Sequence, residues 1–356
     1  MLIIIFRMTL IKGRGAQIKT VNPFLLKQYV TEHREGLDEE LDVSVKTKFF
    51  EEQPKKIVNK VESPDIGLEY SMNPYQGCEH GCVYCYARNS HAYWGFNAGI
   101  DFEQNIIVKP NAAELLEKQI SHPKWKVSPI MLSGNTDCYQ PAERKFGITR
   151  KMLEVLVKYK HPVGLITKNS LILRDIDLLQ ELAQHDLVSV AVSINSLNEE
   201  LRQKLEPRTA SYQKRLAVIE KLSKKNIPVI AMVAPVIPGL TDHEIPDVVE
   251  AASRHGAWNV AYIMVRLNGA IGKVFEDWLR KNFPDRADKV LHRIQACHDG
   301  KLNDSRWGKR MKGEGKVAEA VAQLFSIAAN RYFKSKRTFS FNLNAFRTPS
   351  SQLKLF

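Results

Sequence analysis

Three cysteines fall within eight residues, in the run Asn73-Pro74-Tyr75-Gln76-Gly77-Cys78-Glu79-His80-Gly81-Cys82-Val83-Tyr84-Cys85-Tyr86. The spacing is C-x3-C-x2-C, and Gly77 and Gly81 let the backbone turn tightly enough for three thiolates to converge. Three thiolates can hold three irons of a 4Fe–4S cluster and leave the fourth iron open to a substrate or cofactor. Structural zinc, with His80 or His91 as fourth ligand, is the other reading. Zinc sites usually show paired C-x2-C halves, and the sequence has no second half. Cys138 and Cys297 lie outside this run and bring the total to five. An odd, clustered set excludes a disulfide framework and points to metal or redox chemistry in a reducing compartment.

Thiols of this kind need a rigid frame. Short apolar runs at Ile130–Leu132, Val163–Ile166, Leu187–Ile194, Ile227–Val233 and Val260–Val265 read as strands. They end at Ser133-Gly134-Asn135, Thr167-Lys168-Asn169, Asn195-Ser196, Ala234-Pro235 and Arg266. A sixth, Ile66–Met72, leads straight into the cysteines. Helical patterns fit between them. Asn111 with Glu114 forms a capping-box pattern, and Thr149 is placed to cap a helix carrying Met152, Leu153, Leu156 and Val157 on one face. Ile176, Leu179, Leu182 and Ala183 repeat that spacing, as do Leu216, Ile219 and Leu222 before a stop at Asn226. Residues Asp247 to His255 form the last helix.

Repeated strand–helix units with apolar strands predict an α/β fold whose parallel sheet is buried on both faces, either doubly wound or an incomplete barrel. The expected architecture is a partial (β/α)6 TIM-type barrel over residues 63–270. An N-terminal extension over 1–62 precedes it, irregular and charge-rich between Glu32 and Glu62. A basic, mainly helical region over 271–356 follows. Both sheet types place functional residues at the carboxyl ends of the strands, where the polar residues named above lie.

The cysteine run, with an aromatic residue just before its last cysteine, resembles the radical S-adenosylmethionine (SAM) superfamily. The segments SPDIGLEYSMNPYQGCEHGCVYCYAR, GIDFEQ, SGNTDCYQPAER, ITKNSLILRDIDLL, LEPRTASYQKRL and APVIPGLTDHE extend the resemblance from about Ser63 to the C-terminus. They look like a bacterial family of that superfamily which is similar to spore photoproduct lyase and is often labelled a DNA repair photolyase. The resemblance implies a metal-binding, iron–sulfur enzyme, lyase-like in its chemistry. In such enzymes SAM chelates the open iron of the 4Fe–4S cluster, and an electron from an external flavodoxin- or ferredoxin-type donor cleaves it to a 5′-deoxyadenosyl radical.

Carried over position by position, the resemblance makes Cys78, Cys82 and Cys85 the cluster ligands. Tyr86 stands where the family contacts SAM. Thr136 and Asp137 follow the second strand, where many members carry a Gly-Gly-Glu-like segment for the SAM amino group. Lys168 and Arg208 are expected on the SAM carboxylate, and Ser193 and Asn195 on the ribose. Ala234 precedes Pro235-Val236-Ile237-Pro238-Gly239, where the superfamily often has a Gly-x-Ile-x-Gly segment against adenine; Pro235 replaces its first glycine. Spore photoproduct lyase uses a cysteine as hydrogen donor near the second strand end. Its position falls nearer Gly134, so Cys138 is a neighbour of that donor site and a candidate for its role.

The 356 residues carry a formal charge of +13. Between Lys301 and Ser340 ten Lys/Arg face three Asp/Glu, so more than half the surplus sits in that stretch. Arg306, Lys309, Arg310, Lys312, Lys316, Arg331, Lys334, Lys336 and Arg337 are candidate phosphate contacts, interleaved with Trp307, Tyr332 and Phe333, and DNA or RNA is the expected partner. A radical enzyme acting on a peptide, protein or small metabolite is the alternative, and a non-catalytic iron–sulfur sensor that binds nucleic acid is a third reading. No apolar run approaches bilayer length. Met1–Phe6 is stopped by Arg7 and lacks a signal-peptide cleavage site, with Met8 an alternative start, so no membrane partner and a cytoplasmic location are expected.

Overall fold

The computed structural model describes residues 11–24, 46–65, 67–334 and 339–347. The start at Met1–Met8, residues 32–45 of the charge-rich stretch, Ile66, Lys336 and Arg337 lie outside the described residues. Among the described residues ten strands are formed: β1 (Lys48–Glu51), β2 (Asn59–Lys60), β3 (Tyr70–Met72), β4 (Tyr75–Gln76), β5 (Asn105–Val108), β6 (Ile130–Leu132), β7 (Val163–Thr167), β8 (Val188–Ser193), β9 (Val229–Val236) and β10 (Asn259–Met264). The main sheet has the order β10-β9-β8-β7-β6-β3-β2. Six of its strands are mutually parallel, and β2 adds antiparallel to β3. A doubly wound sheet reverses its order at a switch point. Here the parallel strands follow sequence order without reversal, and the sheet is open at β2 and β10.

The strands are not buried on both faces, as their apolar runs predict. Ile130, Leu132, Val163, Leu165, Val188, Val190, Val229 and Ala231 are buried, whereas Met131, Ile166, Ser189, Ala191, Ile230 and Met232 on the alternate face are half-buried. Period two separates the faces, and the small or flexible side chains of the second one leave space. A cavity of about 420 Å³ lies there, lined by Met131, Gly164, Ser189 and Met232 and closed by Phe339 and Phe341. The segment carrying those rings runs along the amino ends of the strands, with the Asn342 amide donating to Asp186 O (3.0 Å) and the Arg347 amide to Tyr159 O (3.0 Å).

Two predicted caps are absent. Asn111 makes no side-chain cap, and its Oδ1 is buried without a partner. The helix Ile148–Lys158 is preceded by Gly147 at φ 62°, and Thr149 turns inward instead, its Oγ1 donating to Cys138 O (2.7 Å) and its amide accepted by Glu143 (3.0 Å). The stop at Asn226 is realised, at φ 58°.

The extension is less irregular than its composition predicts. Strand β1 pairs parallel with β5 and β2 pairs with β3. Strands of four and two residues held by backbone pairing leave no apolar alternation to read. The C-terminal region holds the helices Ile271–Asn282, Ala287–Ala296 and Lys316–Tyr332, but 339–347 is a strap and 301–315 a folded loop. This loop joins both edges of the open sheet. At one edge the Met264 amide donates to Met311 O (2.9 Å) and Lys312 Nζ to Tyr262 O (2.9 Å). At the other, the Gly308 amide and Arg310 Nε donate to the Asp65 carboxylate (2.8 and 2.5 Å). Arg310 also reaches Ser63. Arg306 pairs with Asp304 (2.5 Å) and Lys309 with Glu314 (2.6 Å), so several of the charges counted in the sequence are matched within the loop.

His161, fully buried before β7, makes the protein acid-sensitive. Its Nε2 accepts from Trp125 Nε1 (3.1 Å) and its Nδ1 faces Pro162 O (3.0 Å). A proton on Nε2 would set two N–H donors against each other, and burial first of all disfavours the charge, so its pKa falls to about 4. The unfolded chain binds that proton near pH 6.5. Stability from this residue is therefore complete above pH 6.5 and is lost as pH falls toward 4, by up to about 3 kcal/mol. Denaturant midpoints measured against pH should fall less steeply in His161→Gln than in the wild type over that window.

Candidate active site

The cysteine loop leaves the sheet at the carboxyl end of β3 and is shaped by its glycines. Gly77 and Gly81 have φ 78° and 71°. A Cβ at Gly77 would lie 2.9 Å from Asn105 O, and one at Gly81 would lie 2.8 Å from Glu103 Oε2. Cys78 and Cys82 are buried and Cys85 is half-buried. The Cys78 amide donates to Phe102 O (2.9 Å), the Cys85 amide to Cys82 O (3.3 Å), and Arg88 Nε to Cys82 O (2.9 Å). Burial pushes all three thiols up. Cys78 is raised further by Asp137 and by Cys82 and Cys85, and Cys82 by Glu206 and Cys85. Two buried thiols and one half-buried one, each reluctant to ionise on its own, form a donor set whose thiolate form a cationic iron–sulfur centre would stabilise. Among the described residues no three His, Cys, Asp or Glu side chains are placed to hold a single metal ion. His80, a fourth ligand in the zinc reading, lies between Asp137 (3.4 Å) and Asn169 (3.1 Å). The residues present fit the cluster.

A buried ion pair backs the loop. Glu103 is fully buried and accepts from Arg88 (2.5 Å) and from the amides of Gly15 (2.9 Å) and Ala16 (2.7 Å). It thereby seats the N-terminal segment on the cysteine loop so closely that a Cβ at Gly15 would lie 1.8 Å from Gly81 O. Arg14 continues the contact, donating to Glu103 O (2.6 Å) and to Thr47 Oγ1 (3.2 Å).

The expected cofactor residues stand at successive strand ends, several already bonded within the protein. Beyond β6, Ser133 has φ 76°, and Tyr86 Oη donates to Gly134 O. Thr136 Oγ1 donates to Tyr75 O (2.5 Å). Asp137 accepts from Thr167 Oγ1 (2.9 Å) and from the amides of Lys168 (2.8 Å) and Tyr139 (2.9 Å). Burial alone would raise its pKa, but His80 and these donors outweigh it and hold the pKa low. Asp137 thus joins the cysteine loop to β6 and β7. Lys168 lies 5.9 Å over the Tyr84 ring. Burial would lower its pKa, but Cys82 and Glu206 outweigh that and raise it.

Ser193 is buried at the end of β8, and Arg215 donates to its carbonyl (3.0 Å). Asn195 Oδ1 accepts from Tyr212 Oη (2.8 Å), and its Nδ2 is buried without a partner, a donor free for a bound molecule. Arg208 pairs with Glu79 Oε1 (3.3 Å), so its guanidinium holds a carboxylate of the protein, and Glu79 Oε2 is buried unpartnered. Ala234 is half-buried and its peptide to Pro235 is cis. Cys138 is fully buried in the main core, and burial pushes its thiol well above the usual range. Sequence reasoning missed Glu206, buried between Tyr84 and Arg215, which both donate to it. The signal was present in Glu206-Pro207-Arg208, of which only the arginine stood out. It also missed Glu103 and Gly15, for which no local pattern exists. Among the described residues no helix is long and apolar enough to cross a membrane.

Comparison with known proteins gives the fold and the family. The uncharacterized protein Rv2578c of Mycobacterium tuberculosis (strain ATCC 25618 / H37Rv) is 35% identical over 240 residues, 67% of this chain and 71% of that protein. The sporulation killing factor maturation protein SkfB of Bacillus subtilis (strain 168) is 27% identical over 269 residues, 70% of this chain and 58% of that protein. A solved cysteine-to-serine variant of spore photoproduct lyase superposes with a TM-score of 0.61 at 17% identity, covering 83% of this chain and 82% of that one. A variant of the same lyase with bound AdoMet and dinucleoside spore photoproduct has a TM-score of 0.59 at 16% identity, with the same coverage. These likenesses establish a shared fold. The family model described as the Radical SAM superfamily matches residues 72–252, a span that runs from the end of β3 through the cysteines and the ends of β6 to β9. With the 4Fe–4S cluster and SAM as its cofactors, the chain belongs to the radical SAM superfamily.

Proposed function

We propose that this protein is a radical SAM enzyme that cleaves SAM reductively and abstracts hydrogen from a base of nucleic acid, in a lyase- or repair-type reaction. The observation that carries the reading is the meeting of Cys78, Cys82 and Cys85 with Asp137 and Lys168 at the ends of β6 and β7, next in sheet order to β8, beyond whose end Asn195 holds an unpartnered donor. When bound, the cluster supplies the electron that breaks a carbon–sulfur bond of SAM. The protein's own groups then have distinct tasks. Lys168 and Arg208 supply positive charge for a carboxylate, and Asn195 Nδ2 supplies a donor for a ribose hydroxyl. Asp137 fixes the strand ends, and the N-terminal segment excludes water from the cysteine loop. The charge of +13 and the fold likeness to a lyase solved with a dinucleoside photoproduct support nucleic acid as substrate class. The similarity to SkfB supports a second reading, a peptide substrate.

The test is anaerobic reconstitution with iron and sulfide, chemical reduction, and quantification of 5′-deoxyadenosine from SAM. Product is expected from the protein alone and is expected to rise on adding DNA. No product in any condition overturns the enzymatic reading. A rise with peptides but not with DNA or RNA transfers the assignment to the second reading.

A further inference from the structure

We propose that the cavity between the N-terminal segment and the 3-10 helix Tyr86–Trp94 seats an unstacked nucleobase of single-stranded nucleic acid. The inference rests on the nucleic-acid reading above and gives it a place on the molecule. The cavity has a volume of about 750 Å³, and its walls include Phe24, Tyr86, Ser90, Tyr93, Asn135 and Lys273. That is within the usual size of a ligand site and larger than one ring needs. Of the residues expected to hold SAM, only Tyr86 borders it, so this space is separate from the strand-end groups yet adjoins the last cysteine of the run.

Its surface is unusual for an unliganded face. Phe24 and Tyr93 stack on each other at 4.8 Å and 27°, yet they are 58% and 75% exposed, and Tyr86 is 46% exposed. Aromatic faces left in water beside a cavity are what a sequence-tolerant base platform presents, because every base has a π-face to offer. The rim carries the matching charge. Lys273 lines the cavity and among the described residues has no carboxylate at ion-pair distance; Arg266, outside the lining, lies 5.6 Å over the Tyr86 ring and is partly balanced by Asp65. No Asp or Glu lines the cavity. Flat rings beside an unpaired lysine suit a base and its phosphate, whereas a basic or neutral peptide would find no acidic partner here.

The experiment is fluorescence anisotropy with a short fluorescein-labelled single-stranded DNA and the reconstituted full chain, titrated at several salt concentrations. Heparin serves as a competitor that has charge but no bases. Tyr93→Ala and Phe24→Ala are each expected to weaken binding about tenfold, and Tyr93→Phe to restore it. Lys273→Gln is expected to lower the log–log salt slope by about one. Iron content and thermal midpoint monitor folding, and the exposure of Tyr93 makes its variants safe in that respect. Wild-type protein that fails to bind DNA overturns both this inference and the nucleic-acid reading. Binding that is unchanged in Tyr93→Ala and Phe24→Ala, or heparin bound as tightly as DNA, overturns the base seat and leaves that reading standing.

Discussion

Cys82→Ala is expected to lose cluster iron and to form no measurable 5′-deoxyadenosine. Loss of an outer partner of a metal ligand already costs about 10–100-fold in metal affinity or activity, so loss of a ligand itself should exceed about 100-fold. Cys82 is the right choice among the three. It is buried, its carbonyl is held by Arg88, and its neighbours Val83 and Tyr84 pack in the core that runs under Ile271–Asn282. Removing one sulfur from such a site leaves the backbone seat in place. Cys138→Ala provides the contrast. That thiol lies in the main core, away from the cysteine run in sequence, and its loss should leave iron content unchanged. The measurements are iron and sulfide per chain and product per chain after identical anaerobic treatment. Wild-type product from Cys82→Ala would remove the basis of the cluster assignment.

Glu103→Ala is expected to destabilise the protein by about 3–5 kcal/mol, the cost of leaving one member of a buried ion pair without its partner. The carboxylate has three donors, Arg88 and the amides of Gly15 and Ala16; both amides would lose their acceptor, and the buried Arg88 charge would keep only the carbonyls of Cys82, Ala98 and Gly99. A second substitution separates the pair from the segment it holds. In Gly15→Ala the Arg88–Glu103 pair stays intact, but the new Cβ would lie 1.8 Å from Gly81 O, so the segment must lift. Glu103→Ala should therefore lower the denaturant midpoint strongly. Gly15→Ala should lower it less, while opening the segment to limited proteolysis and hastening loss of the reconstituted cluster in air. A change below about 1 kcal/mol in Glu103→Ala would show that the pair is dispensable.

The elements that repeat were legible from sequence, and those made by distant contacts were not. Strand runs such as Ile130–Leu132 and their polar termini were found because an apolar run that stops at Ser133 or Thr167 is a local signal. Strand β9 ran on to Val236, past the end that Pro235 had marked, because β10 pairs with it as far as Val236. The caps failed for a different reason: Thr149 is drawn inward by Cys138 and Glu143, partners that only the folded chain supplies. Asp137 reads in sequence as a free carboxylate after a strand, and its donors come from β7 and the cysteine loop. Gly15 carries no pattern at all, since its requirement is created by Gly81, 66 positions away. Site residues on strand ends could be named in advance, but which of them were already committed to one another could not.

The loop that ties Asp65 to Gly308 and Arg310 sets an order of events during synthesis. The last parallel strand is complete at Met264, but the groups that bridge the two sheet edges follow only after the helices Ile271–Asn282 and Ala287–Ala296 have been made. A nascent chain thus carries two unbridged strand edges for the whole interval, the state most prone to mispairing with another chain. Chains halted before Gly308 should consequently be the ones that depend on chaperones, while those extended through Lys312 can close the sheet themselves.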